Sequence, residues 1–422
     1  MDTEKIIEYL RGRGLFGYEH FGAHFVWEDS CSQVRFTVYV PNAKNVCLIG
    51  DFSSWQPWQM QRLDCGVWTL VSPDNVKSYV NAGHQVYIER NAGVGSGFMT
   101  EDYVKAGAII LESAKEVWAT ADMIVKVKEP LPDEYPLFRK GQIIYTYLHL
   151  AADRALTDAM LAAGVSGVAY ETLEDRGYLP LLAPMSQIAG RLSVQEGAKY
   201  LEKLYGGSGV LLSGVPGTPK AKVVILGGGS VGTNACKIAV GMGADVTIMD
   251  INIHRLEYLD DIFGSRIQTL YSNDVNVENA LKTADLVIGS VLIPGKKAPK
   301  IIRRSYLREM RPGSVIVDVA VDQGGCCETT HMTYHDDPIY KVDGIVHYCV
   351  GNMPGAVPRT STIALTNATL SYGLLLAENG LEAACHKDPR MYSAVNTYDG
   401  KLTYKNVADS FKMEYTDIHE CF

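Results

Sequence analysis

The sequence has no apolar run long enough to cross a membrane, no C-x-x-C pair among its nine cysteines and no basic stripe. Each absence excludes a class. Without about 20 consecutive apolar residues a membrane-spanning helix is not expected. Scattered cysteines, two of them adjacent at Cys326 and Cys327, read as reduced thiols and not as a disulfide framework, and no metal site is expected. With 48 acidic against 39 basic residues the net charge is −9, so nothing is available to neutralise a nucleic-acid backbone. The densest basic cluster, Lys296, Lys297, Lys300, Arg303 and Arg304, reads as solvated loop. The acidic N-terminus lacks the apolar stretch of a signal peptide. A soluble, cytoplasmic protein is expected. What is present, 47% hydrophobic residues over 422 positions, supports two or three domains with ample core.

The most informative stretch runs from Lys222 to Asp250. Residues 223–226 are four apolar residues that read as a buried parallel strand. Gly227, Gly229 and Gly232 follow at G-x-G-x-x-G spacing, where a helix should begin. In such a turn the first glycine bends the chain, the second lets backbone approach a pyrophosphate, and the third lets helix and strand pack closely. The helix start offers free N–H groups and its positive dipole end to phosphate. Ala235, Ile238, Ala239 and Met242 give the helix an apolar face, Gly243 ends it, and a second strand ends at Asp250, whose carboxylate can accept ribose hydroxyls. A dinucleotide is therefore expected here; a purely structural glycine turn is the alternative.

Before this stretch the texture changes once. Residues 34–40 alternate as a half-buried strand, with further strands at 46–50 and 66–71, suggesting a small β-sandwich. The aromatic loop between them, with Trp55 and Trp58, either stacks on sugar rings or fills a small core. From Asp74 strands and helices alternate, which points to a parallel, doubly wound α/β sheet. Strands are expected at 84–89, 108–111, 123–128 and 143–148, and a long helix at 186–204 leads to the dinucleotide strand. Strands at 285–293 and 314–320 should complete a Rossmann sheet, and a helix through 364–377 should carry the chain back to the first α/β body. Two Rossmann-like lobes with a cleft result, substrate lying at the strand carboxyl ends.

Lys128 and His149 both terminate expected neighbouring strands, so both can project into one crevice. A histidine exchanges protons near neutral pH, and a lysine can hold a carboxylate or polarise a carbonyl. A satisfied loop histidine and a surface lysine are the plainer alternatives. Asp322, after a buried strand and before two glycines, stands where a carboxylate would face a nicotinamide, or else caps a turn.

Two family resemblances sharpen these expectations. Residues 18–73 resemble the carbohydrate-binding module of glycogen branching enzymes, through Phe21-Gly-Ala-His24, Val34-Arg-Phe-Thr-Val-Tyr-Val-Pro-Asn-Ala43, Val46-Cys-Leu-Ile-Gly-Asp-Phe-Ser-Ser-Trp55 and Gly66-Val-Trp68. The module's further strands are not found, which would leave an unpaired edge. Residues 74–422 resemble alanine dehydrogenase, through Lys126-Val-Lys-Glu-Pro130, Tyr147-Leu-His-Leu-Ala-Ala152, Leu181-Leu-Ala-Pro-Met-Ser186, the glycine turn, Val321-Asp-Gln-Gly-Gly325 and Asn352-Met-Pro-Gly-Ala-Val-Pro358. That resemblance implies NAD as cofactor, reversible conversion of L-alanine to pyruvate and ammonia, and a hexamer. It implies that Lys128 contacts the substrate, His149 is the acid/base, and Asp322 positions ammonia or water. Ser186, Gly227, Gly229, Ser230, Val231, Gly232, Asp250, Arg255, Ser272, Val291, Leu292, Val319, Asp322, Asn352 and Met353 would line the cofactor. The implied division is a partial sandwich over 1–73, a substrate lobe over 74–181 with 359–422, and an NAD lobe over 182–358.

The sequence departs from that family at one place. The family begins with a strand and a Lys-Asn-Asn-Glu-x-Arg-Val segment whose arginine clamps the substrate carboxylate. Counted back without gaps from Gly83 and His84, that arginine falls on Trp68. A lysine alone replaces a bidentate guanidinium poorly, so cofactor binding should survive while alanine turnover weakens. A catalytically silent NAD-binding fusion and a transhydrogenase-like subunit are the alternatives.

Overall fold

The computed structural model describes residues 71–291 and 298–422, with the backbone of four strand segments nearer the N-terminus. The chain forms two compact units, residues 1–65 and 66–422. In the first, Gly22–Glu28 pairs antiparallel with Cys31–Thr37, and Cys47–Leu48 with Trp58–Gln59. The first pair overlaps the expected strand at 34–40 but begins earlier, and its partner was not expected. The second pair puts Trp58, read as loop, in a strand. The strand expected at 66–71 lies outside the described residues except for Val71, which is not in a strand.

The second unit opens with α1 (Pro73–Asn81), started by Ser72, whose hydroxyl accepts the Asn75 N–H, and by Pro73 at the first helical position. There follow β1 (Tyr87–Glu89), α2 (Thr100–Lys105), β2 (Ile109–Leu111), α3 (Ala114–Thr120), β3 (Met123–Val125), β4 (Ile143–Thr146), α4 (Arg154–Ala163) and β5 (Ser166–Ala169). Strands β3, β4 and β5 are parallel neighbours. Among the described residues, strands β1 and β2 form a separate parallel pair. The strands at 123–128 and 143–148 are shorter than expected, ending at Val125 and Thr146, although Lys126 N–H still donates to Tyr145 O and Tyr147 N–H to Val127 O.

Helix α5 (Ala183–Tyr200) leads to β6 (Lys222–Leu226), α6 (Ser230–Gly241), β7 (Asp245–Asp250), α7 (Ile253–Phe263), β8 (Ile267–Tyr271), α8 (Asp274–Leu281), β9 (Leu286–Gly289), α9 (Arg304–Leu307) and β10 (Val315–Asp318). The sheet does not finish there as expected. An antiparallel hairpin, β11 (Ile339–Val342) and β12 (Ile345–Tyr348), extends it, giving seven strands in the order β8-β7-β6-β9-β10-β12-β11. All but β11 run parallel to their neighbours. The central strands are buried on both faces, as their unbroken Val, Ile and Leu runs require.

Helix α10 (Pro358–Lys387), interrupted at Gly380 by a φ of 74°, returns the chain to the first lobe. There β13 (Val395–Tyr398) pairs antiparallel with β5 and with β14 (Lys401–Leu402), and α11 (Lys405–Phe411) packs beside them. The five-stranded order is β14-β13-β5-β4-β3. Buried tyrosines tie the parts of this lobe together. The Tyr145 hydroxyl donates to Thr369 O of α10 (3.1 Å), that of Tyr147 to Leu181 O (2.7 Å), and that of Tyr170 to Tyr145 O (2.8 Å). Aromatic area is thus buried while each hydroxyl keeps a partner.

Candidate active site

At the end of β6 the three glycines have different reasons to be glycine. Gly227 has φ +100°, which L side chains rarely adopt. A Cβ on Gly232 would lie 1.8 Å from Gly227 O, so only glycine allows the helix to start this close to the turn. A Cβ on Gly229 would meet nothing within 4 Å; here the chain faces open space in front of the α6 N-terminus. That pattern fits a pyrophosphate. The turn is tight on the protein side and cleared on the other, with Ser230 and Val231 in the first helical turn. Helix α5 backs the site through Gly190, whose Cβ would lie 2.2 Å from Val231 O, and Ser186 sits half-buried in the first turn of α5.

Asp250 ends β7 as expected. Its Oδ2 accepts the Gly228 N–H (2.6 Å) and its Oδ1 the Asn252 N–H (2.8 Å). Each oxygen keeps a lone pair for a ribose hydroxyl. Arg255 is tied inward: Nε donates to Gly228 O and Nη2 to Thr233 Oγ1, each at 2.5 Å, and the guanidinium lies 4.7 Å from the Tyr258 ring centre. It splints the glycine turn to α6. Ser272 N–H donates to Asp250 O (3.0 Å). Val291, beyond β9, packs toward Gly227, while Leu292 lies outside the described residues. Val319 follows β10, its N–H donating to Gly289 O (2.9 Å).

Asp322 is exposed on a short 3-10 turn, Val321–Gln323, after β10. Its strand does not run on to it as expected; it stops at Asp318. Asp318 is fully buried and takes four donors: the N–H groups of Ala320, Cys326 and Cys327, and the Thr330 hydroxyl. This carboxylate fixes the Asp322 loop. Its only sequence signal was an acid at the end of an apolar strand. Burial pushes the Cys326 and Cys327 thiols up, as expected of structural, protonated cysteines. Gly351 approaches Asp322, its Cβ position 3.1 Å from Asp322 Oδ1; the next residue, Asn352, adopts a left-handed φ of 56°, and Met353 is buried.

In the other lobe, Lys128 and His149 follow the adjacent parallel strands β3 and β4. Thr146 Oγ1 donates to Lys128 O (2.9 Å). His149 is exposed and held in a left-handed conformation, φ 48°, for which non-glycine residues need outside support. Two carboxylates supply it. Glu171 accepts the backbone N–H groups of Leu148 (3.1 Å) and His149 (2.7 Å), and Glu129 Oε2 lies 3.0 Å from His149 Nδ1. The imidazole also stacks on Tyr147, ring centres 5.9 Å apart. With Nδ1 engaged, Nε2 is the nitrogen left for substrate. Burial would raise the Glu129 carboxyl, but the His149 hydrogen bond, its own backbone N–H and the neighbouring cationic groups His149 and Lys128 outweigh that and hold it at about 2. Neither glutamate was singled out from the sequence, although Glu129 stands inside the Lys126–Pro130 motif quoted above.

Comparisons with known proteins show the family. Residues 193–405 match the family "Alanine dehydrogenase/PNT, C-terminal domain", and residues 70–189 its N-terminal domain. Residues 20–96 match "Carbohydrate-binding module 48 (Isoamylase N-terminal domain)". That match runs past residue 73 and overlaps the dehydrogenase match over α1 and β1, which are α/β structure here. An alanine dehydrogenase of Methanococcus maripaludis is 57% identical over 349 residues, 82% of this chain and 93% of that protein. Alanine dehydrogenase 2 of Staphylococcus aureus is 54% identical over 353 residues, 83% of this chain and 94% of that protein. A solved L-alanine dehydrogenase superposes with a TM-score of 0.80 at 53% identity, covering 83% of this chain and 97% of that one. A transhydrogenase from Sinorhizobium meliloti shares the fold, with a TM-score of 0.69 at 24% identity over 82% of this chain and 97% of that one. From residue 70 onward the chain belongs to the alanine dehydrogenase/PNT family.

Proposed function

We propose that the chain catalyses NAD-dependent, reversible oxidative deamination of L-alanine to pyruvate and ammonia. The observation that carries this is the pairing of a cleared dinucleotide turn, Gly227 to Gly232 with Asp250, with a carboxylate-supported histidine, His149, beside Lys128. When bound, NAD supplies a nicotinamide that accepts the hydride from the alanine Cα. Gly229, Ser230 and Val231 would hold the pyrophosphate, Asp250 the ribose, and Ser186, Ser272, Val291, Leu292, Val319, Asn352 and Met353 the remaining surface of the dinucleotide. Arg255 keeps the turn in shape.

The chain's own residues then handle charge and protons. Lys128 places a cation against the substrate carboxylate and carbonyl oxygen. His149 takes and returns protons at Nε2 as the amine is lost and water is added, while Glu129 keeps Nδ1 occupied. Asp322 positions ammonia or water. Residues 1–73, 74–181 with 359–422, and 182–358 act as cap, substrate lobe and cofactor lobe. The protein works in the cytoplasm as a hexamer.

No arginine stands at Trp68, so the substrate carboxylate lacks its bidentate partner and alanine turnover should be slow. An NADH-forming assay with L-alanine, run beside calorimetry with NADH, tests this. Expected are cofactor binding, weak turnover, and faster turnover once an arginine-bearing segment is restored. Cofactor binding with no turnover, unrescued by that segment, overturns the dehydrogenase assignment and leaves an NAD-binding fusion. Retention on glycogen would assign residues 18–73 a glucan-binding role.

A further inference from the structure

Helix α5 approaches its neighbours at two glycines on one face, Gly190 and Gly197. A Cβ on Gly197 would lie 2.5 Å from Leu286 Cδ1 of β9, and one on Gly190 would lie 2.2 Å from Val231 O and 3.1 Å from Asn234 Cβ of α6. These contacts fix how closely the elements pack, but packing of this kind has no direction. Beside Gly190 the direction is supplied by hydrogen bonds. Asn234, in the second turn of α6, is buried. Its Oδ1 accepts the Nε–H of Arg191 (3.2 Å), and its Nδ2 donates to Ser230 O (2.9 Å). Arg191 itself is exposed. A surface guanidinium on α5 therefore reaches, through one buried amide, the first residue of α6. Ser186 stands four residues before Gly190, on the same face of α5 and about 6 Å along its axis.

We propose that Arg191 is a positioning residue for the dinucleotide: through Asn234 it holds the α6 turn that carries Ser230 and Val231 in register with the α5 turn that carries Ser186, which rests on reading Gly227 to Asp250 as the dinucleotide site. Asparagine is a poor residue inside a helix, because its amide competes for backbone groups. Here both ends of that amide are taken, the oxygen by a cation on the neighbouring helix and the nitrogen by a carbonyl of its own helix. The two bonds depend on one another. Without the guanidinium, Oδ1 is a buried acceptor that has lost its donor. The amide relieves that by turning, and turning withdraws Nδ2 from Ser230 O. The disturbance thus arrives at the turn whose N–H groups would face the pyrophosphate. Only the Nε–H of Arg191 is used in this bond, so the donor matters here and the charge does not.

Calorimetry with NADH on the full chain tests this, each variant being shown by circular dichroism to be folded at the temperature used. Arg191→Met keeps the length of the stem and removes the donor; its Kd should rise about tenfold, the coupling expected within one hydrogen-bond network. Arg191→Gln carries an N–H at the same number of bonds from the backbone as the arginine Nε, without the charge, and should bind NADH as the parent does. Asn234→Ala should weaken binding as Arg191→Met does, and the two together should be no worse than the weaker single variant. Equal weakening by Gln and Met would mean that the charge acts on the anion directly, and overturns the proposal. Additive losses in the double variant overturn it as well, because the two residues would then act separately. Gly229→Ala is run alongside. A parent that binds NADH, weakened by Gly229→Ala and untouched by Arg191→Met, removes this role of Arg191 alone. A parent that does not bind NADH removes the dinucleotide reading and this role with it.

Discussion

The three glycines of the dinucleotide turn should separate cleanly under substitution. Gly229 has φ −65° and ψ −162°, a backbone that any residue can adopt, and a Cβ there would touch no protein atom within 4 Å. Gly229→Ala should therefore leave the unfolding midpoint in place. The added methyl stands where a phosphate must approach the helix N-terminus, so at least one charge-assisted hydrogen bond from the turn is lost. Such a bond contributes about 1.5–3 kcal/mol, roughly one to two powers of ten in Kd. Gly232→Ala behaves differently. Its methyl would sit 1.8 Å from Gly227 O, backbone that cannot swing away. The variant should lose about 1–3 kcal/mol of stability through overpacking, and cofactor affinity with it. Urea denaturation and NADH calorimetry on both variants provide the check. If Gly229→Ala bound NADH as the parent does, the open space before α6 would not be the phosphate site, and the assignment of that helix start would fall.

Other perturbations test the supports of the site. Asp250→Asn should raise the NADH Kd by about tenfold, the weakening of one charge-assisted hydrogen bond, and narrow the preference over NADPH, read by parallel titrations. Asp318→Ala strands four donors around a buried void and should cost about 3 kcal/mol or more in urea denaturation. Glu129 is held at about 2 against an ordinary 4.5, so its ionised form is favoured in the folded state. That contribution is fully present above pH 4.5 and is lost as pH falls toward 2. The stability gap between the parent and Glu129→Gln should therefore shrink on acidification, and a pH-independent gap in thermal melts would refute the pairing with His149. The same variant should also change the pH dependence of any alanine turnover, because Nδ1 loses its ionised partner.

The β6-α6-β7 core could be read from sequence because its determinants are local: an apolar run, glycines at fixed offsets and an acid at the second strand's end. Lys128 and His149 could be placed at neighbouring strand ends for the same reason. What escaped was set by distant partners. The hairpin β11-β12 carries a local signal in Asp343-Gly344, both at positive φ between Val342 and Ile345, but its place in the cofactor sheet is set by contact with β10. Strand β13 is recognisable only by its pairing with β5. Glu129 and Glu171 look like surface acids until the left-handed backbone of His149 gives them work.

The return of β13 to β5 also dictates the order in which the molecule can be made. The Thr397 hydroxyl accepts the Gly167 N–H and donates to Val165 O, contacts spanning 230 and 232 residues. The whole cofactor sheet is threaded between these partners. On a ribosome that sheet can finish before residues 395–402 have left the exit tunnel, while β5 waits with a bare edge. Long loop closure of this kind slows folding and exposes unpaired strands to aggregation. Shortening the C-terminus even modestly should therefore trap a nascent chain whose nucleotide half is complete and whose substrate half is still open.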